Sequence, residues 1–224
     1  MQLILLSHPI DPTGPVYPGD PPPVIESRAS AAAGDDYTAF VLHISNHAAT
    51  HVDGPAHFNP AGPPLADLPT DSFVFVSPLL IDIPRGDDEL ISAADLQAAV
   101  PMGAEPDMLM IRTGFERWRA SDAARYAARP PGLSADAARW LMSTLPGLRA
   151  IALDTISAGA PAHTADAFEA HRILCGFGRD DGRFVLIYED VSLGRVATSP
   201  VRVWGLPLLA RGIDSAPITM IAEV

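Results

Sequence analysis

With 224 residues, 48% of them hydrophobic, the chain is long enough to bury a substantial core as one domain, and nothing in its composition calls for a second. A formal charge of −12 argues against nucleic acid or an anionic membrane as partner, because both demand a basic footprint, but by itself says little about a small-molecule substrate. The single cysteine, Cys175, excludes an internal disulfide and a cysteine-based zinc site, and reads as a small buried apolar residue.

In chain order, residues 1–11 lack the basic region and apolar length of a signal peptide, and no stretch reaches transmembrane length, so a cytoplasmic protein is expected. The proline-rich stretches 9–23 and 56–69 read as long ordered loops, which in compact domains tend to carry function. Residues 38–45 are predicted as a strand entering a histidine-rich loop, and 72–83 (SFVFVSPLLIDI) as one strongly β-prone run. Ser92 caps a short helix. Residues 107–112 form a buried-type strand ending at Thr113-Gly114, and 134–145 a helix capped by Ser134 with apolar residues at helical spacing. A strand at 150–154 precedes a helix at 164–174 capped by Thr164. The apolar strand 184–188 then delivers Glu189, and 201–206 and 218–224 add further strands. Interleaved strands and helices predict an α/β fold, a single domain with a mixed β-sheet and surrounding helices.

The loop HAATHVDGPAH places His47, His51, Asp53 and His57 within eleven residues. An even spread of the seven histidines would put about a third of one in such a window. A helix would swing Asp53 roughly 200° from His51, and Pro55 opposes a helix, whereas an extended segment aims His51 and Asp53 to one side. Singly, Asp53 before Gly54-Pro55 is a turn residue and His57 a backbone-bonded imidazole, but the group of four favours function. Imidazoles with one carboxylate suit zinc, manganese or iron far better than calcium or magnesium. A metal held by His47, His51 and Asp53 would leave coordination sites open and activate water. His57 is the candidate general acid/base, since an imidazole titrates near neutral pH, with a further metal ligand as the alternative.

The same loop resembles the H-x-G-T-H-x-D-x-P-x-H signature of the cyclase / kynurenine formamidase family of metal-dependent hydrolases. Further segments are similar to that family's landmarks in order: 16–20 (VYPGD), 111–114 (IRTG), 131–134 (PGLS), 152–155 (ALDT) followed by Ser157, and 212–217 (GIDSAP). The resemblance implies that His171 and Glu189 join the loop residues around one or two divalent metals, with Asp53 bridging to the second and His163 competing with His171; of the metals the donors suit, Zn2+ is expected first and Mn2+ second. It implies a kynurenine formamidase/cyclase-like fold, a homodimer or higher homo-oligomer, and Tyr17 as a substrate contact. Apart from the resemblance, Phe58 and Phe115 are aromatic candidates for the same pocket, with simple core filling as the alternative. The implied activity is metal-dependent hydrolysis of an amide-like C–N bond, such as that of an aryl formamide, through metal-bound hydroxide. Opening of a cyclic amide or lactone, a metal-dependent lyase or cyclisation reaction, and a non-catalytic metal-binding protein are the alternatives. Four departures stand near the expected cleft: Ala49 replaces glycine, Tyr17 replaces tryptophan, no acidic residue follows Ser157-Ala158-Gly159, and 178–183 lengthens the stretch between His171 and Glu189.

Overall fold

A computed structural model describes residues 2–224. Its main sheet runs in the order Val74–Phe75, Arg202–Pro207, Ser215–Glu223, His51–Asp53, Leu186–Glu189, Ala150–Leu153, Met108–Arg112, Pro78–Asp82, with Leu3–Leu5 pairing alongside Ser215–Glu223. The last four strands in that order are mutually parallel and the rest antiparallel, the mixed sheet expected from the interleaved elements. Only Val76 and Ser77 separate the strands at the two ends of the order, a span of roughly 10 Å, so the sheet must curl back on itself as an incomplete barrel. Asp107 pins this closure by accepting the backbone N–H groups of Val76 and Ser77 at 2.8 and 3.0 Å.

That closure divides the β-prone run 72–83. The run divides into Val74–Phe75 and Pro78–Asp82, on opposite edges. Pro78 has no N–H to donate and opens an edge strand, where proline is tolerated. The 38–45 prediction also shifts in meaning. Ala39–His43 is a strand, but it pairs only with Val24–Ala29 as a separate antiparallel ribbon. In the helix Thr164–Leu174 the cap position belongs to His163, which makes no capping bond. Thr164 instead donates its hydroxyl to Pro161 O, because a 3-10 turn over Pro161–His163 leads into the helix.

Alternation along the parallel strands separates two cores. Met108, Met110, Ala150, Ala152, Leu186 and Tyr188 fill the inside of the curl. Leu109, Ile111, Ile151, Leu153 and Ile187 pack against Leu96, Leu141 and Leu174 of the helices Ala93–Ala99, Ala135–Thr144 and Thr164–Leu174. Ser134 caps Ala135–Thr144 by accepting the Ala137 N–H, and its hydroxyl donates to Ile91 O at 2.9 Å, tying the helix to the strand Leu90–Ile91. Ser134→Ala is therefore expected to cost about 1–2 kcal/mol, read as a lower urea midpoint at unchanged slope. Among the described residues, no helix is long and apolar enough to cross a membrane.

Candidate metal centre

His51 and Asp53 are the two ends of a three-residue strand, so both side chains leave the same face while Val52 between them fills the inner core. Antiparallel register sets Glu189 directly opposite His51. His57 arrives on the 3-10 turn Pro55–His57, just after Gly54. A Cβ at Gly54 would meet Asp214 O at 2.7 Å, so glycine is what allows Asp214 to approach this turn. His171 comes from the last turn of the helix Thr164–Leu174, its Nδ1–H donating to Ala167 O at 2.7 Å and its Nε2 turned inward. Gly159 lets that helix close in, since a Cβ there would lie 2.5 Å from Ala167 Cβ. Gly159→Ala is expected to push His171 outward and weaken metal binding about tenfold, read by competition with a chelator.

The six residues predicted as ligands or base thus converge on one point. Asp53 stands at its centre: Oδ1 is 3.1 Å from His47 Nδ1 and 3.6 Å from His51 Nε2, and Oδ2 is 3.6 Å from His57 Nε2 and 3.9 Å from His171 Nε2. Glu189 reaches His51 Nε2 at 3.1 Å and His171 Nε2 at 3.3 Å. Close as these contacts are, two buried atoms in the cluster, His51 Nε2 and Asp53 Oδ1, make no hydrogen bond of good geometry. An orphaned imidazole nitrogen and an orphaned carboxylate oxygen are costly inside a protein unless something positive sits between them. Ligand atoms of His51, Asp53 and Glu189 lie within 4.8 Å of one another, as do those of His47, Asp53 and His57. A cation bonded at about 2 Å fits inside either triangle, so the donor set matches the metal that the sequence implied.

Electrostatics agree. Burial opposes charge on His51, but Glu189 and Asp53 overcome it and raise this imidazole to a pKa of about 9. Burial would likewise neutralise Asp53, yet the surrounding histidines hold its carboxyl well below the usual carboxylate range. Glu189 is held at about 2 by His171 and His51 against the same burial penalty. The carboxylates stay ionised and the imidazoles of His51, His57 and His171 attract protons, the behaviour of an anionic nest that a divalent ion would satisfy.

A second layer orients the first. Ala49 has φ +54, in the left-handed region, and its carbonyl accepts His51 Nδ1–H at 2.8 Å, leaving Nε2 for the centre. Glycine suits that backbone better, which accounts physically for the family preference from which this chain departs. Glu189 Oε1 accepts the Ala158 N–H at 2.6 Å and lies 3.3 Å from Ser157 Oγ. Asp214, to which the sequence reading gave no role, accepts His57 Nδ1–H at 2.7 Å and takes further bonds from Asn46 and Ser215. The only signal for it was its place in GIDSAP. His163 lies outside, exposed, its Nε2 bonded to Asp88 O, so the choice between His163 and His171 falls to His171 on position.

The cluster forms the floor of a cleft of about 290 Å³, walled by Tyr17, Phe58, Ile156 and Phe168. Tyr17 and Phe58 therefore line the cleft. Phe115 does not: it is fully buried, stacked on Tyr126 at 6.0 Å. Cys175 is buried behind the site, its thiol pushed up to about 12 by burial, which suits the inert apolar role expected of it.

Comparison with known proteins matches this geometry to known folds. The chain superposes on isatin hydrolase A from Labrenzia aggregata with a TM-score of 0.80 at 20% identity, covering 99% of this chain and 93% of that one. For isatin hydrolase A from Ralstonia solanacearum the values are 0.81, 21%, 99% and 91%. A predicted metal-dependent hydrolase from Bacillus stearothermophilus gives 0.75, 21%, 99% and 97%. An uncharacterised Haemophilus influenzae protein is 27% identical over 117 residues, 52% of this chain and 82% of that protein. Residues 4–160, well over half of the chain and including the whole histidine loop, match the Cyclase family model. The chain belongs to the Cyclase family.

Proposed function

We propose that this protein is a metal-dependent hydrolase that opens a neutral cyclic amide or lactone. The observation that carries the reading is the convergence of four imidazoles and two carboxylates, with orphaned His51 Nε2 and Asp53 Oδ1, on the floor of an apolar cleft. His47, His51, Asp53, His171 and Glu189 would hold one or two divalent ions, zinc before manganese. Bound there, the metal would polarise the scissile carbonyl and lower the pKa of water. His57 serves as general base and then acid. With its Nδ1–H donated to Asp214, the lone pair on Nε2 faces the centre, ready to take the proton of the attacking water and return it to the leaving nitrogen or oxygen. Asp214 holds this tautomer and stabilises the imidazolium that forms, as does Asp53. Tyr17, Phe58 and Phe168 exclude water and stack on a flat ring.

Charge guides the choice of substrate. All fifteen basic residues of the chain are arginine, and none lines the cleft, which instead carries Asp20, Asp53 and Glu189. A free amino-acid head such as that of N-formylkynurenine would find no arginine in the cleft for its carboxylate, which would then lie beside Asp20 or compete with the scissile carbonyl for the metal. An uncharged, planar bicycle meets no such penalty, and the structural neighbours described as isatin hydrolases support the same choice. The test compares kcat/KM for isatin-like lactams, small lactones and N-formylkynurenine on the metal-loaded enzyme. Ring opening favoured at least tenfold supports the proposal, and preferred deformylation overturns the substrate choice in favour of an aryl formamidase. Incorporation of solvent oxygen into product separates hydrolysis from a lyase or cyclisation reaction.

The same reading includes a homodimer. The ribbon of Val24–Ala29 and Ala39–His43 turns Ile25, Phe40 and Leu42 to one face, each 42–58% exposed. On the main sheet Leu3, Leu5 and Leu206 are also half exposed. Exposed apolar side chains of this kind are what a second copy of the chain would cover in a two-fold interface. Light scattering should give twice the monomer mass, and a monomer mass at micromolar concentration would reject the dimer. A cytoplasmic setting fits the single buried cysteine.

A further inference from the structure

Among the described residues only Ala49, Asp88 and Asp190 combine a side chain with positive φ, and two of the three adjoin the metal centre. Ala49 lies two residues before His51, and Asp190, at φ +52, directly follows Glu189. Left-handed backbone outside glycine persists only where its surroundings enforce it, and such residues cluster at functional sites. For Asp190 the enforcement is visible. Its buried carboxylate is gripped in a fork by Arg119, Nε to Oδ1 at 2.8 Å and Nη2 to Oδ2 at 2.8 Å, and Tyr126 donates its hydroxyl to Oδ1 at 2.6 Å.

The backbone of Asp190 reaches two further elements of the centre. Its N–H donates to Thr155 O at 2.7 Å, two residues before Ser157, which with Ala158 holds Glu189 Oε1. Its carbonyl accepts the hydroxyl of Thr50, the neighbour of His51, at 2.5 Å. Glu189 itself is one peptide away. Three segments that present His51, Glu189 and the donors to Glu189 are thus tied at one residue, which is locked from outside the cleft by an arginine and a tyrosine on the short helices Trp118–Ser121 and Ala123–Ala128.

Resting on the metal-centre reading above, we infer that Asp190, clamped by Arg119 and Tyr126, is a positioning residue that sets the separation and aim of the His51 and Glu189 ligand atoms. The clamp touches neither substrate nor metal. It acts by fixing a strained turn whose relaxation would rotate Glu189 relative to His51, and outer residues of this kind commonly govern metal affinity by 10- to 100-fold. A residue needed only for folding would lower stability and leave the affinity of the folded protein intact.

The test measures zinc affinity by chelator competition, with melting of the metal-free forms followed in parallel, for the full-length wild type, Asp190→Asn and Tyr126→Phe. Asparagine keeps the shape and tolerates positive φ but loses the arginine fork, and Tyr126→Phe removes one hydrogen bond while keeping the ring stacked on Phe115. The inference predicts zinc binding weakened about 10- to 100-fold in Asp190→Asn and several-fold in Tyr126→Phe, with metal-free melting of Tyr126→Phe close to wild type. Should Asp190→Asn fail to fold, Tyr126→Phe decides. Wild-type affinity in a folded variant overturns the inference, whereas a wild type that binds no zinc or manganese overturns the metal reading itself and this inference with it.

Discussion

Replacing His57 with alanine is expected to leave metal content unchanged and to reduce kcat by about 10²- to 10⁴-fold, the usual contribution of a positioned general acid/base. The two halves of this expectation have different structural causes. His47, His51, Asp53, His171 and Glu189 still offer five donors without His57, and the orphaned atoms that call for a cation belong to His51 and Asp53. Proton transfer, by contrast, has no substitute: the remaining imidazoles bond through Nδ1 to backbone carbonyls or to Asp53 and face the metal position with Nε2 or Nδ1. Asp214→Asn should produce a milder loss with the same metal content, because it weakens the hold on Nδ1 without removing the base. Loss of metal in His57→Ala would instead make His57 a ligand, joined to His47 and Asp53 in one of the two candidate triangles.

The second large effect is expected at Asp53. It belongs to both candidate triangles and contacts all four histidines, so Asp53→Asn removes charge from the point where every ligand converges. Metal affinity should fall on the order of 100-fold or more, a larger loss than outer residues produce, with circular dichroism of the variant unchanged. Equilibrium dialysis against zinc checks this. A variant that keeps wild-type affinity would mean that the histidines alone hold the ion, and Asp53 would then serve only to orient His47.

These two residues also show what local sequence can reveal. Spacing alone put His51 and Asp53 on one side of an extended segment, and the three-residue strand does so because side chains alternate. The strands Met108–Arg112 and Ala150–Leu153 were legible for the same reason: unbroken apolar runs bounded by turn residues mark strands buried on both faces. What sequence could not reveal depends on partners far away in the chain. Asp214 meets His57 across 157 residues, and Arg119 meets Asp190 across 71. Neither pairing leaves a periodic trace. The 72–83 run was legible as β-prone because its apolar content is continuous, and only the closure of the sheet, pinned by Asp107 thirty residues on, shows why it divides at Val76-Ser77. His171 and Glu189 were suggested by family resemblance, and register across the sheet is what sets Glu189 beside His51.

The central claim is that a divalent metal occupies the nest around Asp53. Plasma mass spectrometry of untagged wild-type protein, alongside His51→Ala, tests it most directly. The account predicts about one or two zinc or manganese ions per chain in the wild type and their loss in the variant. Wild-type protein that is free of metal and refuses added zinc and manganese would contradict it.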